Sequence, residues 1–125
     1  MRLNWRLSSG FAALAGLFVT GAAQAGDGGG TYFFTNKCSP FTARAVYVPG
    51  SSFSATDGCQ DGHSAVTQWK VGGSSTIHLL WAAGGVGTSA RVANSYTSAV
   101  RVQIRACIGE HATRQILGCS AWKSV

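Results

Sequence analysis

Four cysteines, Cys38, Cys59, Cys107 and Cys119, all lie downstream of an apolar leader, and that arrangement constrains the fold more than any other feature of the chain. Arg2 and Arg6 give the leader a positive start, Phe11 to Val19 is its apolar stretch, and Ala23-Gln24-Ala25 sets small residues at an A-x-A cleavage pattern. Thr20, Gly21 and Gln24 interrupt the run before it reaches the roughly 20 apolar residues that a membrane span needs. Residues 1–25 are therefore expected to be a cleaved signal peptide with no transmembrane segment left behind. The mature chain is expected to be secreted or extracytoplasmic, and periplasmic if its bacterial source has an outer membrane. In an oxidising compartment an even cysteine count reads as a disulfide framework, and no C-x-x-C spacing suggests zinc.

Gly26 to Val125 is 100 residues, enough for one domain with one modest core. Such a chain buries only about two thirds of its unfolded surface, so covalent staples matter. Gly26 to Gly30 offers almost no side chains to pack and reads as a flexible tail, leaving residues 31–125 as a single disulfide-stapled β domain. Without Arg2 and Arg6 the charge balance is eight Lys and Arg against four Asp and Glu, or +4. The cations are scattered, so no cluster tracks a phosphate backbone and no nucleic acid is expected.

The pattern is that of strands. Thr31 to Thr35 is β-prone, and Phe41 to Val48 follows it, stopped by the turn Pro49-Gly50-Ser51-Ser52. Phe53 to Ser64 contains Asp57-Gly58 and Asp61-Gly62 and reads as a loop around Cys59. Alternation resumes with Ala65, Thr67, Trp69 and Val71 on one face, then Ile77, Leu79 and Trp81, then Val86, Thr88, Ala90 and Val92, with glycine pairs between the sets. Val100 to Ile108 alternates most clearly. No sustained 3.6-residue stripe appears. The expected fold is all-β: a small antiparallel β-sandwich, Ig-like or Greek-key in type, with two disulfides.

Placing Cys107 opposite Cys119 in a final hairpin also sets Ile104 opposite Trp122, Arg105 opposite Ala121 and Gln103 opposite Lys123. Trp122 would then join the core. This pairing brings two cysteines to a separation a disulfide accepts and leaves Cys38 for Cys59. A bond from Cys38 to Cys107 or Cys119 stays open if a strand crosses back.

Candidate chemistry is sparse. Asp57, Asp61 and His63 match no specific metal-ligand set, and each Asp-Gly is more simply a turn device, so no metal or other cofactor is expected. Glu110 and His111 could serve as base and acid in a small secreted hydrolase or ribonuclease, with Arg105 or Arg114 on a phosphate, but adjacent residues in a turn point apart. No nucleophile motif is present, and no catalytic residue is assigned. His78 reads as a surface or edge histidine, and Trp69, Trp81 and Trp122 as core.

Two binding surfaces remain. Arg101, Gln103, Arg105 and Lys123 would form a basic stripe on one sheet face. Tyr32, Phe33 and Phe34, behind the glycine tail, could add a strand to another protein. The plan is similar to that of small bacterial secreted inhibitors, adaptors and antimicrobial proteins as a group, a likeness of architecture alone. The expected function is a non-catalytic module that binds another secreted or cell-surface protein, as an inhibitor or as an adaptor in an extracellular assembly such as a toxin complex. The rival is a cationic antimicrobial or bacteriocin-like protein acting on an anionic envelope component.

Overall fold

The computed structural model describes residues 29–125. The expected signal peptide and most of the glycine tail lie outside them. The described chain is built from nine strands: β1 (Gly30–Phe34), β2 (Ala43–Val48), β3 (Ser52–Asp57), β4 (Ser64–Val71), β5 (His78–Ala82), β6 (Ser89–Ala93), β7 (Val102–Glu110), β8 (Gln115–Cys119) and β9 (Lys123–Ser124). They form two antiparallel sheets, ordered β1-β2-β3-β6 and β5-β4-β7-β8, with β9 also paired to β7. Among the described residues there is no helix.

Local chemistry sets the first hairpins. Pro49 presets its backbone angle and Gly50 takes a φ of 68°, so Ser51 N–H donates to Val48 C=O at 3.1 Å in a turn of type II. Asn94 braces this turn from the far end of β6: its side-chain oxygen accepts from Gly50 N–H, and its amide donates to Val48 C=O at 3.2 Å.

The segment after the turn corrects the loop expected over Phe53 to Ser64. Ser52–Asp57 is a strand between β2 and β6, and the loop is confined to residues 58–63. Serine, alanine and threonine are small enough to pack between two neighbouring strands but give a weak apolar signal. Phe53 and Ala55 still point inward, and both are fully buried.

The core lies between the sheets. Ala43, Ala45, Tyr47, Phe53 and Ala55 face Ala65, Trp69, Ala82, Val102, Ile104, Ala106 and Ile108. Alanines let the layers approach closely, while aromatic rings fill one end. There Tyr47 stacks on Phe53 at 4.8 Å, Phe53 on Trp69 at 4.0 Å and Trp69 on His78 at 5.4 Å, joining both sheets through four strands. Thr67, also inward, donates its hydroxyl to Ser54 C=O of the opposite sheet at 2.8 Å, which satisfies a buried polar group.

Both disulfides match the favoured pairing, Cys38 with Cys59 and Cys107 with Cys119. They close loops of 21 and 12 residues, each stabilising by about 3 kcal/mol in the chain-entropy picture. The register beyond Cys119 departs from the expected one. Cys107 faces Cys119, but Ile104 faces Lys123 and Gln103 faces Ser124. The C-terminal strand spends one extra residue between Cys119 and Lys123, where Ser120 both donates its N–H to Ala106 C=O at 2.8 Å and gives Ala106 N–H a side-chain acceptor. Because side chains alternate with a period of two, that extra residue moves Trp122 out of the core and onto the outward face.

Candidate functional site

The outward face of the five-stranded sheet gathers the side chains most suited to recognition. Strand pairing fixes which residues share it. Val66 lies opposite both Trp81 and Cys107, Gln68 opposite Leu79 and Arg105, and Lys70 opposite Gln103. Trp81 is therefore outward and not in the core as its alternation suggested. Only Trp69 of the three expected core tryptophans is buried there, at 8% exposure. Alternation reveals that Ile77, Leu79 and Trp81 travel together, but the register with β4 decides that theirs is the wet side.

Trp122 arrives on this face through the extra residue, and two cations meet it. The Arg105 guanidinium and the Lys70 ammonium each lie 4.3 Å from the centre of its ring. Such contacts are worth about 0.5–1 kcal/mol at exposed sites and more when water is excluded. Arg105 is held further by its Nε–H, which donates to Gln68 Oε1 at 2.8 Å. Burial draws its guanidinium below the ordinary arginine value, yet arginine stays charged at any physiological pH.

At the other end of the face, Arg114 lies 5.7 Å from the Trp81 ring centre and His111 meets the same ring edge-on at 5.5 Å. Arg114 adopts a φ of 61°, which tightens the β7–β8 turn that presents both. Gly109 leaves room for this arrangement, since a Cβ there would come within 2.9 Å of the Trp81 ring. Between the two indoles run Val66, Gln68 and the Cys107–Cys119 bridge. Although outward, Val66, Gln68 and Cys107 are buried, so the side chains around them close over the sheet. Among the described residues, the outward positions of β4, β5 and β7 carry no carboxylate.

The expected basic stripe is distributed differently. Arg105 and Gln103 are outward on β7, and Arg101 is exposed just before it. Lys123 faces Ile104, out of step with them by one position. Lys70, Arg114, Gln68, Trp81 and Trp122 join the face without having been singled out for it. Lys70 was legible as the alternation partner of Trp69, whereas nothing local marks Trp122. On the other sheet, Tyr32 and Phe34 pack against the core, and burial pushes the Tyr32 phenol up. Phe33 is 51% exposed, beside Phe41 at 5.4 Å, and Arg44 lies over Phe41.

The acids collect elsewhere. Asp57 Oδ1 accepts from Cys59 N–H and Asp61 Oδ1 from His63 N–H, both at 3.0 Å, as Asp-Gly turns require. Burial raises the Asp57 carboxyl above the ordinary aspartate range, and the Asp61 charge raises it further against the lowering pull of the Cys59 bond. Glu110 reaches back to His63, with Oε2 and Nδ1 2.6 Å apart, while His111 turns to Trp81. The structure thus separates the adjacent pair Glu110 and His111. Asp57 and His63 line a cavity of about 500 Å³ with Gln60, Ser64 and the Gly84–Val86 segment. No group of three or more His, Cys, Asp or Glu suited to a metal exists among the described residues.

Comparison of the chain with protein-family models, curated proteins and solved structures finds no match. The structure defines the class: an all-β domain of two antiparallel sheets with two disulfides. Those bridges point to an oxidising, extracytoplasmic setting. No helix of the described residues is long and apolar enough to cross a membrane.

Proposed function

We propose that this chain is a small exported, non-catalytic binding module on an Ig-like or Greek-key sandwich, acting as an inhibitor or adaptor subunit. It grips an acidic secreted or cell-surface protein with the outward face of its five-stranded sheet. The observation that carries this reading is Trp122 held under Arg105 and Lys70, with Trp81 and Arg114 on the same face and no carboxylate among the outward positions of β4, β5 and β7. Tryptophan and arginine dominate interface hot spots because they bury large areas and still make directed contacts. The described residues carry eight Lys and Arg against Asp57, Asp61 and Glu110, so an acidic partner is steered toward the module over long range.

The test begins by immobilising the mature protein and identifying what it retains from culture fluid at low salt. Binding of that protein is then measured against variants. Trp122→Ala and Arg105→Gln are each expected to weaken it at least tenfold, while Phe33→Ser on the other sheet leaves it unchanged. Affinity indifferent to both outward-face variants removes this reading. Salt-sensitive leakage of anionic vesicles, with no protein retained, replaces it with the envelope-active one.

A further inference from the structure

We propose that the aromatic end of the molecule holds a second site, separate from the outward sheet face, which takes a neutral sugar ring. A groove of about 390 Å³ opens there, lined by Phe53, Trp69, Ala93, Asn94, Ser95 and Tyr96. That volume falls within the roughly 300–1,000 Å³ of small-molecule sites. Two polar groups close to it are buried and lack a partner among the described residues: the indole N–H of Trp69, which lines the groove, and the hydroxyl of Tyr47, whose ring stacks on the lining Phe53. Trp69 is 8% exposed and Tyr47 2%. Native proteins leave few such groups unsatisfied, so an orphaned pair beside a groove points to something that bonds them. The phenol of Tyr96 belongs to the same cluster: its proximity adds to the effect of burial in raising the Tyr47 phenol.

The chemistry of the lining selects the ligand. Among the described residues no Asp, Glu, Lys or Arg lines the groove, so a charged ligand gains no counter-charge. The ring faces are largely taken by one another, since Phe53 is stacked between Tyr47 and Trp69, and Trp69 between Phe53 and His78. A flat aromatic ligand therefore finds no slot within the stack. What the site offers is an indole N–H that can only donate, together with phenol and serine hydroxyls that donate or accept. A pyranose matches that set, with oxygens for the donors and a C–H flank for the half-exposed Tyr96 ring, which stands edge-on to Phe53 at 6.1 Å.

Asn94 fixes the groove wall. Its side chain is spent on Gly50, Val48 and Tyr96 backbone groups, so the segment carrying Tyr96 is tied to the β2–β3 turn. The indole N–H has no open surface, so a sugar reaches it only once a side chain lining the groove gives way. Sugar binding thus shifts a lining side chain and leaves the braced backbone in place.

The experiment uses ¹⁵N-labelled mature protein, whose tryptophans are Trp69, Trp81 and Trp122. Glucose, galactose and N-acetylglucosamine are titrated in turn, followed by their β-linked disaccharides, with p-cresol as the flat aromatic control. The Trp69 indole signal and the Tyr96 amide are expected to move saturably with at least one sugar, while the Trp81 and Trp122 indoles stay still. A disaccharide at least tenfold tighter than its monomer identifies a glycan chain as the source, and equal affinities identify a free sugar. Tyr47→Phe keeps the ring stack and removes only the hydroxyl. It is expected to weaken binding at least fivefold, and Trp69→Phe, followed through the Tyr96 amide, to abolish the sugar-induced shift. Stillness of the Trp69 signal with every sugar, or a shift with p-cresol alone, overturns the proposal. So does binding that is unchanged in Tyr47→Phe.

Discussion

Replacing Trp122 by alanine separates an outward indole from a core one by the size and the coupling of the loss. Trp122 is more buried than exposed, so burial contributes most of the 1.5–3 kcal/mol assigned to a fully buried large side chain, or about 1–2 kcal/mol. Its contacts with Arg105 and Lys70, both at 4.3 Å, add about 0.5–1 kcal/mol each. The expected destabilisation is therefore about 2–4 kcal/mol, against roughly 3–5 kcal/mol for deletion of a core tryptophan, so the coupling to the cations is the sharper discriminator. At roughly 4–8 °C per kcal/mol for a domain this size, Tm falls by roughly 8 °C or more. The assay is urea unfolding of the oxidised protein, run as a double-mutant cycle with Arg105→Met. In the wild-type background Arg105→Met costs about 0.5–1 kcal/mol more than it does beside Trp122→Ala, because the contact is already gone. A loss above 4 kcal/mol with no coupling to Arg105 or Lys70 refutes the outward placement and restores the uninterrupted register.

Two further outcomes follow from the same geometry. Converting Cys107 and Cys119 together to serine frees a loop of 12 residues and is expected to lower stability by about 3 kcal/mol in denaturant unfolding; a loss below 1 kcal/mol contradicts that bridge as a staple of the final hairpin. Asp57→Asn keeps an oxygen for Cys59 N–H but removes a carboxyl that burial raises. The folded state binds that proton more tightly than the unfolded chain, so the Asp57 contribution is fully present below the ordinary aspartate value of 3.8 and is lost as pH rises through the folded value. The variant is thus expected to have the higher Tm at pH 7 and to lose that advantage near pH 3, and an advantage confined to low pH inverts the assignment.

Strand existence was legible where apolar residues alternate strongly, as in Val100 to Ile108, whose even positions from Val102 to Ile108 are buried core. The disulfide pairing was also legible, because opposed cysteines in a short hairpin satisfy a local distance requirement. Strand β3 was obscured by its composition. Ser52, Ser54 and Thr56 belong to a strand only because β2 and β6 flank them, and that neighbourhood is not written in the segment itself.

The candidate site shows the same division. Its ingredients, Arg105 and Gln103 on one side of a strand, follow from a period of two. Its assembly depends on a single extra residue near Ser120 that sends Trp122 outward, and on the pairing of Val66 with Trp81 that does the same for β5. A period can assign residues to a common face, but it cannot say which face meets the other sheet. The sequence by itself determined the strands' alternation, a favoured pairing of the cysteines and the dilute positive charge, because these depend on residue type and short spacing. Tertiary structure alone decided which tryptophans leave the core and which cations they meet, because register between distant strands is set by packing the whole.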